Sequence, residues 1–146
     1  MTLKKRFAST YTNFICTTKK FSLTKIRNQS PVVYSADQMM SGATTRRCDY
    51  FVLCDCTPFI TGIYVVEIKG AHPSINKIKS QIQSGLDFVS SYIGQNECHE
   101  FLPVLVAKAI PGSMRRKFLA TRVQLRGREL NIKHVKTGGS LEKLTP

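Results

Sequence analysis

Acidic residues are scarce in this chain. Nine Asp and Glu stand against 22 Lys and Arg over 146 residues, which gives a formal net charge of +13 at pH 7. No acid precedes Asp37. An excess of cations on this scale favours a polyanionic partner, either nucleic acid or an anionic membrane surface. We favour nucleic acid as the partner. The alternative interpretation is a basic protein that is merely soluble or that associates with the ribosome.

Long apolar runs are also missing. No stretch reaches the roughly 20 apolar residues that a membrane-spanning helix needs, so we expect no membrane partner. The basic start, Lys4-Lys5-Arg6, is followed by Thr and Asn rather than by the apolar run of a secretory signal. We therefore expect an intracellular protein, in the cytoplasm or with the DNA of a nucleoid or nucleus.

Several motifs that carry chemistry are absent. No Gly-rich phosphate loop ends in Lys-Ser or Lys-Thr, which argues against an NTPase. The five cysteines are odd in number and share no repeating frame, which argues against a disulfide scaffold. Cys54 and Cys56 beside Cys48 suggest zinc, but alternate residues of a strand make a poor tetrahedral pair. Reduced thiols are the expected state.

Residues 1–30 form a basic segment in which apolar and aromatic residues are interleaved with Lys and Arg. Its apolar residues recur at helical spacing, and we prefer a short helix that docks on the core. Two interpretations stay open: an arm whose aromatic rings stack on nucleobases, and an organelle transit peptide. We expect a core over residues 31–137 and a flexible polar tail over 138–146.

The middle of the chain predicts an α/β domain. The runs 50–53 and 63–69 are rich in β-branched and aromatic residues, and the Pro and Gly between them predict an antiparallel hairpin. Apolar residues recur at threes and fours over 75–93, which predicts a helix with one buried face. The apolar run 101–110 predicts a central strand, parallel to the 63–69 strand because a helix connects them.

Shorter segments complete the predicted mixed sheet. Residues 31–34 predict a short strand, and 36–45 predict a loop. Residues 111–113 predict a turn, and alternation over 130–135 predicts one final strand.

Three charged residues meet in this arrangement. Glu67 and Lys69 are two residues apart on one strand, so their side chains share a face. Antiparallel pairing places Asp49, at the start of the first run, beside them. The two carboxylates and the Ile68 carbonyl are hard oxygen ligands that suit Mg²⁺ or Mn²⁺. Such an ion polarises a phosphodiester and lowers the pKa of a bound water, while Lys69 stabilises the charge that grows on the phosphate.

The ordered set of Asp49, a hairpin, Glu67-Ile68-Lys69 at a strand end and a helix with Gln resembles the PD-(D/E)xK nuclease superfamily. Cys48 stands where that family's motif name has Pro. Gln81 and Gln83 both match the Gln that follows Glu-x-Lys in many members, and we favour Gln81 because it follows an amphipathic turn.

The resemblance covers roughly residues 45–135 and implies a restriction-endonuclease-like α/β fold, with a mixed sheet flanked by helices. It implies a Mg²⁺-dependent (or Mn²⁺-dependent) endonuclease-like enzyme that hydrolyses phosphodiesters, with DNA preferred to RNA as the partner. The catalytic residues it implies are Asp49, Glu67, Lys69 and Gln81. The metal ligands it implies are Asp49, Glu67 and Ile68. Small nucleases of this kind often act as homodimers, although no sequence pattern marks an interface here.

Basic residues near these motifs are candidate phosphate contacts. Arg46 and Arg47 stand just before Asp49, and the run 114–128 contains no acid. The nucleic-acid-binding residues that we predict are Arg46, Arg47, Arg115, Arg116, Lys117 and Arg122. On an ordinary surface these side chains would be solvated charges only. The rival interpretation is a non-catalytic nucleic-acid-binding or structural protein on the same fold, in which Glu67 and Lys69 form a simple ion pair.

Overall fold

The computed structural model describes residues 31–40, 47–55, 61–70, 74–92, 99–139 and 141. Together they form a mixed α/β domain. In chain order the elements are β1 (Val32–Ser35), α1 (Ala36–Met39), β2 (Tyr50–Asp55), β3 (Thr61–Lys69), α2 (Ile75–Tyr92), β4 (His99–Ala107), α3 (Gly112–Ala120), β5 (Arg122–Leu125), β6 (Arg128–Asn131) and β7 (Lys133–Val135).

Five of the strands form one mixed sheet in the order β1-β2-β3-β4-β7. The pairs β1–β2 and β2–β3 are antiparallel, whereas β3–β4 and β4–β7 are parallel. Strands β5 and β6 form a separate antiparallel pair. The mixed α/β class predicted from the sequence is therefore confirmed, with β3 and β4 in the interior of the main sheet.

The hairpin and the helical crossover are present as predicted. Tyr50 of β2 pairs with Val66 of β3, so the start of β2 lies beside the end of β3. Helix α2 then carries the chain back, and β4 runs parallel to β3 with Glu67 opposite Leu105. This topology places the residues around Asp49 beside the end of β3, at one end of the strands of the sheet.

The two faces of the sheet carry separate apolar clusters. Helix α2 covers one face with a buried stripe that consists of Ile75, Ile78, Ile82, Leu86 and Val89. Under it lie alternate sheet residues, among them Phe51, Leu53, Ile63, Val65 and Leu105. The opposite face holds Val52, Tyr64, Val66, Val104, Val106 and Leu141. Strands β3 and β4 are thus apolar on both faces, which is typical of parallel strands in an α/β sheet.

Helix α2 lies close to the sheet at Gly85. A Cβ atom at that position would lie 2.5 Å from Cys48 Sγ and 2.8 Å from Val65 Cγ1. Both of these neighbours are fully buried. Glycine is therefore required there, and it fixes the height of α2 above β3 and above the residue that precedes Asp49.

The loop predicted over 36–45 is wrong in its first part. Ala36–Met39 form the short helix α1, because the hydroxyl of Ser35 caps it by accepting a hydrogen bond from the amide of Gln38 at 3.4 Å. Residues 41–46 lie outside the described residues.

The C-terminal third also differs from the prediction. The turn expected at 111–113 is the beginning of α3, with Pro111 at its N-cap. The single strand expected over 130–135 is two strands, because buried Ile132 separates β6 from β7 and the two belong to different sheets. Alternation continues through both strands, so the pattern cannot reveal the break between them.

Predictions for the two ends of the chain are only partly accessible. The basic segment 1–30 lies outside the described residues. Of the predicted tail 138–146, residues 138, 139 and 141 are described, and Leu141 is fully buried in the second apolar cluster. Within the described parts of the chain, no helix is long and apolar enough to cross a membrane.

Candidate active site

Asp49 is held in place through its backbone and its side chain. Its amide donates to the carbonyl of Val66 at 3.0 Å, and its carbonyl accepts from the amide of Ala36 at 3.0 Å. Its Oδ2 accepts a hydrogen bond of 2.7 Å from the amide of Ile68. The carboxylate is therefore anchored to the backbone between Glu67 and Lys69.

Glu67 lies on the face of β3 that α2 covers and is only 1% exposed. Burial, followed by a hydrogen bond to the Asp49 carboxylate and by the charge of that carboxylate, raises the pKa of Glu67 from 4.5 to about 9, and Lys69 only partly offsets this rise. At neutral pH the isolated protein therefore keeps a proton on Glu67.

Lys69 completes the group of charged side chains. Its Nζ lies 3.7 Å from Oε1 of Glu67, and a quarter of its side chain is exposed. Lys69 is opposite Ala107 on β4, at the last position of both strands. Asp49, Glu67 and Lys69, which the sequence predicted as one group, are thus together at the end of β3, and the ammonium group still reaches solvent.

The contact at Gly85 shows where Gln81 lies relative to this group. Gly85 packs against Val65, and α2 runs antiparallel to β3 because it connects two parallel strands. Gln81 comes one helical turn before Gly85, about 6 Å along the axis. Glu67 comes two residues after Val65, about 6.6 Å along the strand. Gln81 is therefore on the turn of α2 that passes Glu67.

A ring contact supports this placement. Phe88 of α2 stacks on Phe51 of β2 with their centroids 5.9 Å apart. Gln81 and Phe88 are seven residues apart, so they lie on the same side of the helix. Gln81 is consequently on the flank of α2 that faces β2, the strand that begins just after Asp49.

Gln83, the other candidate from the sequence, is already engaged. Its Oε1 accepts from the amide of Gln124 at 2.8 Å, and its Nε2 donates to the carbonyl of Gln124 at 2.8 Å and to Oδ1 of Asp87 at 3.0 Å. Its amide therefore joins α2 to β5, on the flank opposite Gln81.

Two buried oxygen atoms near the acids have no donor. Glu67 Oε2 and Gln81 Oε1 accept no hydrogen bond among the described residues. A buried acceptor without a donor is costly, and a set of carboxylate and amide oxygens suits a hard divalent cation such as Mg²⁺ or Mn²⁺. In the part of the chain that is described, no three His, Cys, Asp or Glu side chains converge. A cation here would therefore need Asp49, Glu67 and neutral oxygens, of which the Ile68 carbonyl is the predicted one.

The predicted phosphate-binding residues are in different situations. Arg47 pairs with Asp37 of α1, with 3.4 Å between Nη1 and Oδ1. Arg122 donates from Nη1 to the carbonyls of Leu119 and Thr121 at 2.6 and 3.1 Å, so it caps the end of α3. Exposed side chains on α3 include Arg115, Arg116 and Lys117. Arg46 lies outside the described residues.

A groove between α2, α3 and β5 was not predicted from the sequence. Its volume is about 530 Å³, and its lining residues are Asn76, Lys79, Lys117, Ala120, Thr121, Arg122, Gln124 and Glu129. The only sequence signal for it is that Lys79 lies off the apolar stripe of α2 while a basic run follows later. Only the packing of α2 against β5 in the folded chain shows that Lys79 and the basic run line the same groove.

Comparison with protein-family models, with curated proteins and with solved structures found no match to this chain.

Proposed function

We propose that the protein is a divalent-cation-dependent nuclease that hydrolyses phosphodiester bonds, with DNA as the preferred substrate. One observation carries the proposal: buried Glu67 lies against Asp49, and its Oε2 has no donor among the described residues. Ionising both of these neighbouring acids, one of which is buried, is unfavourable without a cation. Lys69 lies beside them, and a cationic group at this position could stabilise the negative charge that develops in phosphoryl transfer.

In this proposal, some residues hold the cation and others act on the substrate. Asp49 and Glu67, with the Ile68 carbonyl, would hold Mg²⁺ or Mn²⁺. When bound, such an ion supplies Lewis-acid polarisation of the scissile phosphate and makes water more acidic. The Ile68 amide keeps the Asp49 carboxylate oriented toward the end of β3.

Lys69 and Gln81 would act on the substrate directly. The Lys69 ammonium is partly exposed and lies 3.7 Å from Glu67, so it can reach a phosphate oxygen placed beside the acids. Its charge would stabilise the negative charge that develops during attack. The Gln81 amide, whose Oε1 has no donor in the described structure, would orient the attacking water or the phosphate.

The topology supports the same proposal at the level of fold. A hairpin that brings Asp49 to Glu67-Ile68-Lys69, a helical crossover with Gln81 and a parallel strand are what the resemblance to PD-(D/E)xK nucleases implies. We therefore propose a restriction-endonuclease-like arrangement of the sheet.

A second candidate is a nucleic-acid-binding or structural protein without catalysis. The net charge of +13 supports nucleic-acid binding in either case. The proton on Glu67 and the Lys69 ammonium 3.7 Å from its Oε1 favour this alternative, because they offset the charge of the two acids without a metal.

Cleavage assays separate the two candidates. Labelled single-stranded, duplex and branched DNA, and RNA, would be incubated with the protein in Mg²⁺, Mn²⁺ or EDTA. We expect cation-dependent cutting that falls at least about 100-fold in Glu67→Gln and in Lys69→Ala, since each removes a group that acts at the phosphate. Lys108→Ala is the matched control, because Lys108 is exposed just beyond β4. Binding without cutting, unchanged in both variants, would exclude the nuclease.

A further inference from the structure

The groove between α2, α3 and β5 continues along α2. A neighbouring hollow of about 350 Å³ is lined by Asn76, Lys79, Ser80, Gln83 and Ser84. The two hollows share Asn76 and Lys79. Together they form one polar channel along the first half of α2, which we call the α2 groove.

Hydrogen bonds hold the walls of the α2 groove in position. The Gln83 amide makes two bonds to the backbone of Gln124, which fixes β5 on α2. Arg126 donates from Nη2 to the carbonyl of Ser90 at 3.0 Å and ties the β5–β6 turn to the end of the same helix. Thr121 Oγ1 donates to the carbonyl of Lys117 at 2.7 Å. The groove is therefore a formed feature of the fold.

The α2 groove is positively charged. Three cationic side chains line it, from Lys79 of α2, Lys117 of α3 and Arg122 of β5. The one acid is Glu129, whose Oε1 accepts a hydrogen bond from Nε2 of Gln124 at 3.2 Å. The remaining polar groups are amides and hydroxyls, which bind sugar and phosphate oxygens in nucleic-acid complexes.

The α2 groove lies close to the candidate active site but on the other flank of the helix. Lys79 and Gln81 are two residues apart, about 200° around the axis at 3.6 residues per turn. Gln81 faces β2, whereas Gln83 faces β5. A helix with its side chains is about 10–12 Å across, so the groove and Glu67 are separated by about the width of α2.

We propose that the α2 groove binds the phosphate backbone of a nucleic-acid strand beside the position where it is cut, mainly through Lys79 and Lys117. This inference rests on the proposed nuclease function for its ligand, but binding at the groove requires no cleavage. Arg122 is a weaker contributor, because one of its nitrogen atoms already caps α3. Arg115 and Arg116 are exposed on α3 but do not line the groove.

Binding in EDTA tests the groove separately from catalysis. Fluorescence anisotropy would follow labelled duplex DNA over a range of salt concentrations for the wild type, for Lys79→Gln with Lys117→Gln, and for the control pair Lys133→Gln with Lys136→Gln, which lies outside the groove. Both double variants remove two exposed charges. Each lost phosphate contact lowers the slope of log K against log salt by about 0.9, so we expect a fall near 2 for the groove pair and a much smaller one for the control pair.

Two results of the DNA titration would overturn the proposal: equal losses in both double variants, which indicate diffuse attraction, and no loss in the groove pair. The same variants would be titrated with phosphatidylserine vesicles, and losses confined to vesicle binding would overturn the proposal as well. A selective loss for DNA in the groove pair, in a protein that does not cut in Mg²⁺, would support the groove and exclude the nuclease. Equal unfolding midpoints for the two double variants would show that both variant proteins are folded.

Discussion

The amide of Ile68 donates a 2.7 Å hydrogen bond to Oδ2 of Asp49, although 18 residues separate the two in the sequence. This bond places a carboxylate from the start of one strand against the backbone at the end of the next. The Asp49 side chain thus has two roles: it satisfies a backbone donor, and it lies beside Glu67 in the candidate active site.

Substitutions at Asp49 should separate these roles. Asp49→Asn keeps an oxygen that can accept from Ile68 but removes the charge, whereas Asp49→Ala leaves that partly buried amide without an acceptor. We expect Asp49→Ala to lower the free energy of unfolding by about 1–3 kcal/mol and Asp49→Asn to lower it less. Urea unfolding measures this difference, and both variants should lose cation-dependent cleavage. Equal stability of the two variants would contradict the role assigned to the hydrogen bond.

Glu67 should make stability depend on pH. The pKa of Glu67 is about 9 in the folded protein against an ordinary 4.5. Between these values the folded state binds more protons than the unfolded state, so the free energy of unfolding falls as pH rises through this interval. Glu67→Gln removes the effect, and its stability relative to wild type should rise with pH, by up to about 1.4 kcal/mol per pH unit.

Urea unfolding in EDTA at several pH values between 4.5 and 9 measures this trend. Because the other titrating groups are common to both proteins, the difference between wild type and Glu67→Gln isolates Glu67. A difference that stays constant over the whole interval would contradict the raised pKa.

A bound cation should reverse the pH dependence of the free energy of unfolding. Glu67 must lose its proton to act as a ligand, so Mg²⁺ affinity should increase with pH. At 100 times its dissociation constant, a ligand specific to the folded state stabilises it by about 2.7 kcal/mol. Thermal unfolding with and without Mg²⁺ should show a larger gain at pH 8.5 than at pH 6, and none in Glu67→Gln. A gain of the same size in that variant would place the ion elsewhere.

Gln81 and Gln83 offer a matched pair of substitutions on one helix. Gln83→Ala removes the amide that bonds twice to Gln124, so we expect a loss of about 1–3 kcal/mol in stability. The cleavage rate per folded molecule at saturating DNA should be retained, because Gln83 lies in the α2 groove and not beside Glu67. Gln81→Ala should do the opposite, because its Oε1 has no donor within the described structure. Unfolding curves and single-turnover cleavage rates distinguish them. Equal effects of both substitutions on cleavage would contradict the assignment of Gln81.

Gly85→Ala tests the close approach of α2 to the sheet. A new Cβ would press on Cys48 Sγ and Val65 Cγ1, and we expect a loss of about 1–3 kcal/mol from overpacking. The control is Gly112→Ala in α3, where no atom lies within 4 Å of the added carbon. That change should be neutral or stabilising. Adding Cys48→Ala should restore part of the stability of Gly85→Ala but not that of Gly112→Ala.

The sequence predicted the sheet and the group of charged residues because both depend on short-range patterns. β-branched runs, the Pro and Gly between them and the stripe of α2 determine β2, β3, α2 and β4. Once the hairpin pairs, Asp49 and Glu67 have to meet. The structure adds the burial of Glu67, which depends on α2 lying above it.

Features that depend on tertiary pairing were not predicted. The sequence favours Gln81 over Gln83 only through the amphipathic turn before it, whereas the bond of Gln83 to Gln124 separates the two directly. The sequence predicts one strand where the structure has β6 and β7. The two strands pair with different partners, but the alternation of residues along the chain does not change between them. The α2 groove was missed for the same reason, since its walls are more than 35 residues apart.

The outer strands of the main sheet are short. Among the described strands, β1 has four residues and β7 has three. A long apolar edge strand would invite pairing with a second chain. Here β7 carries exposed Lys133 and is followed by exposed Lys136, so two chains crowded together on one polyanion would repel each other at this edge rather than join their sheets.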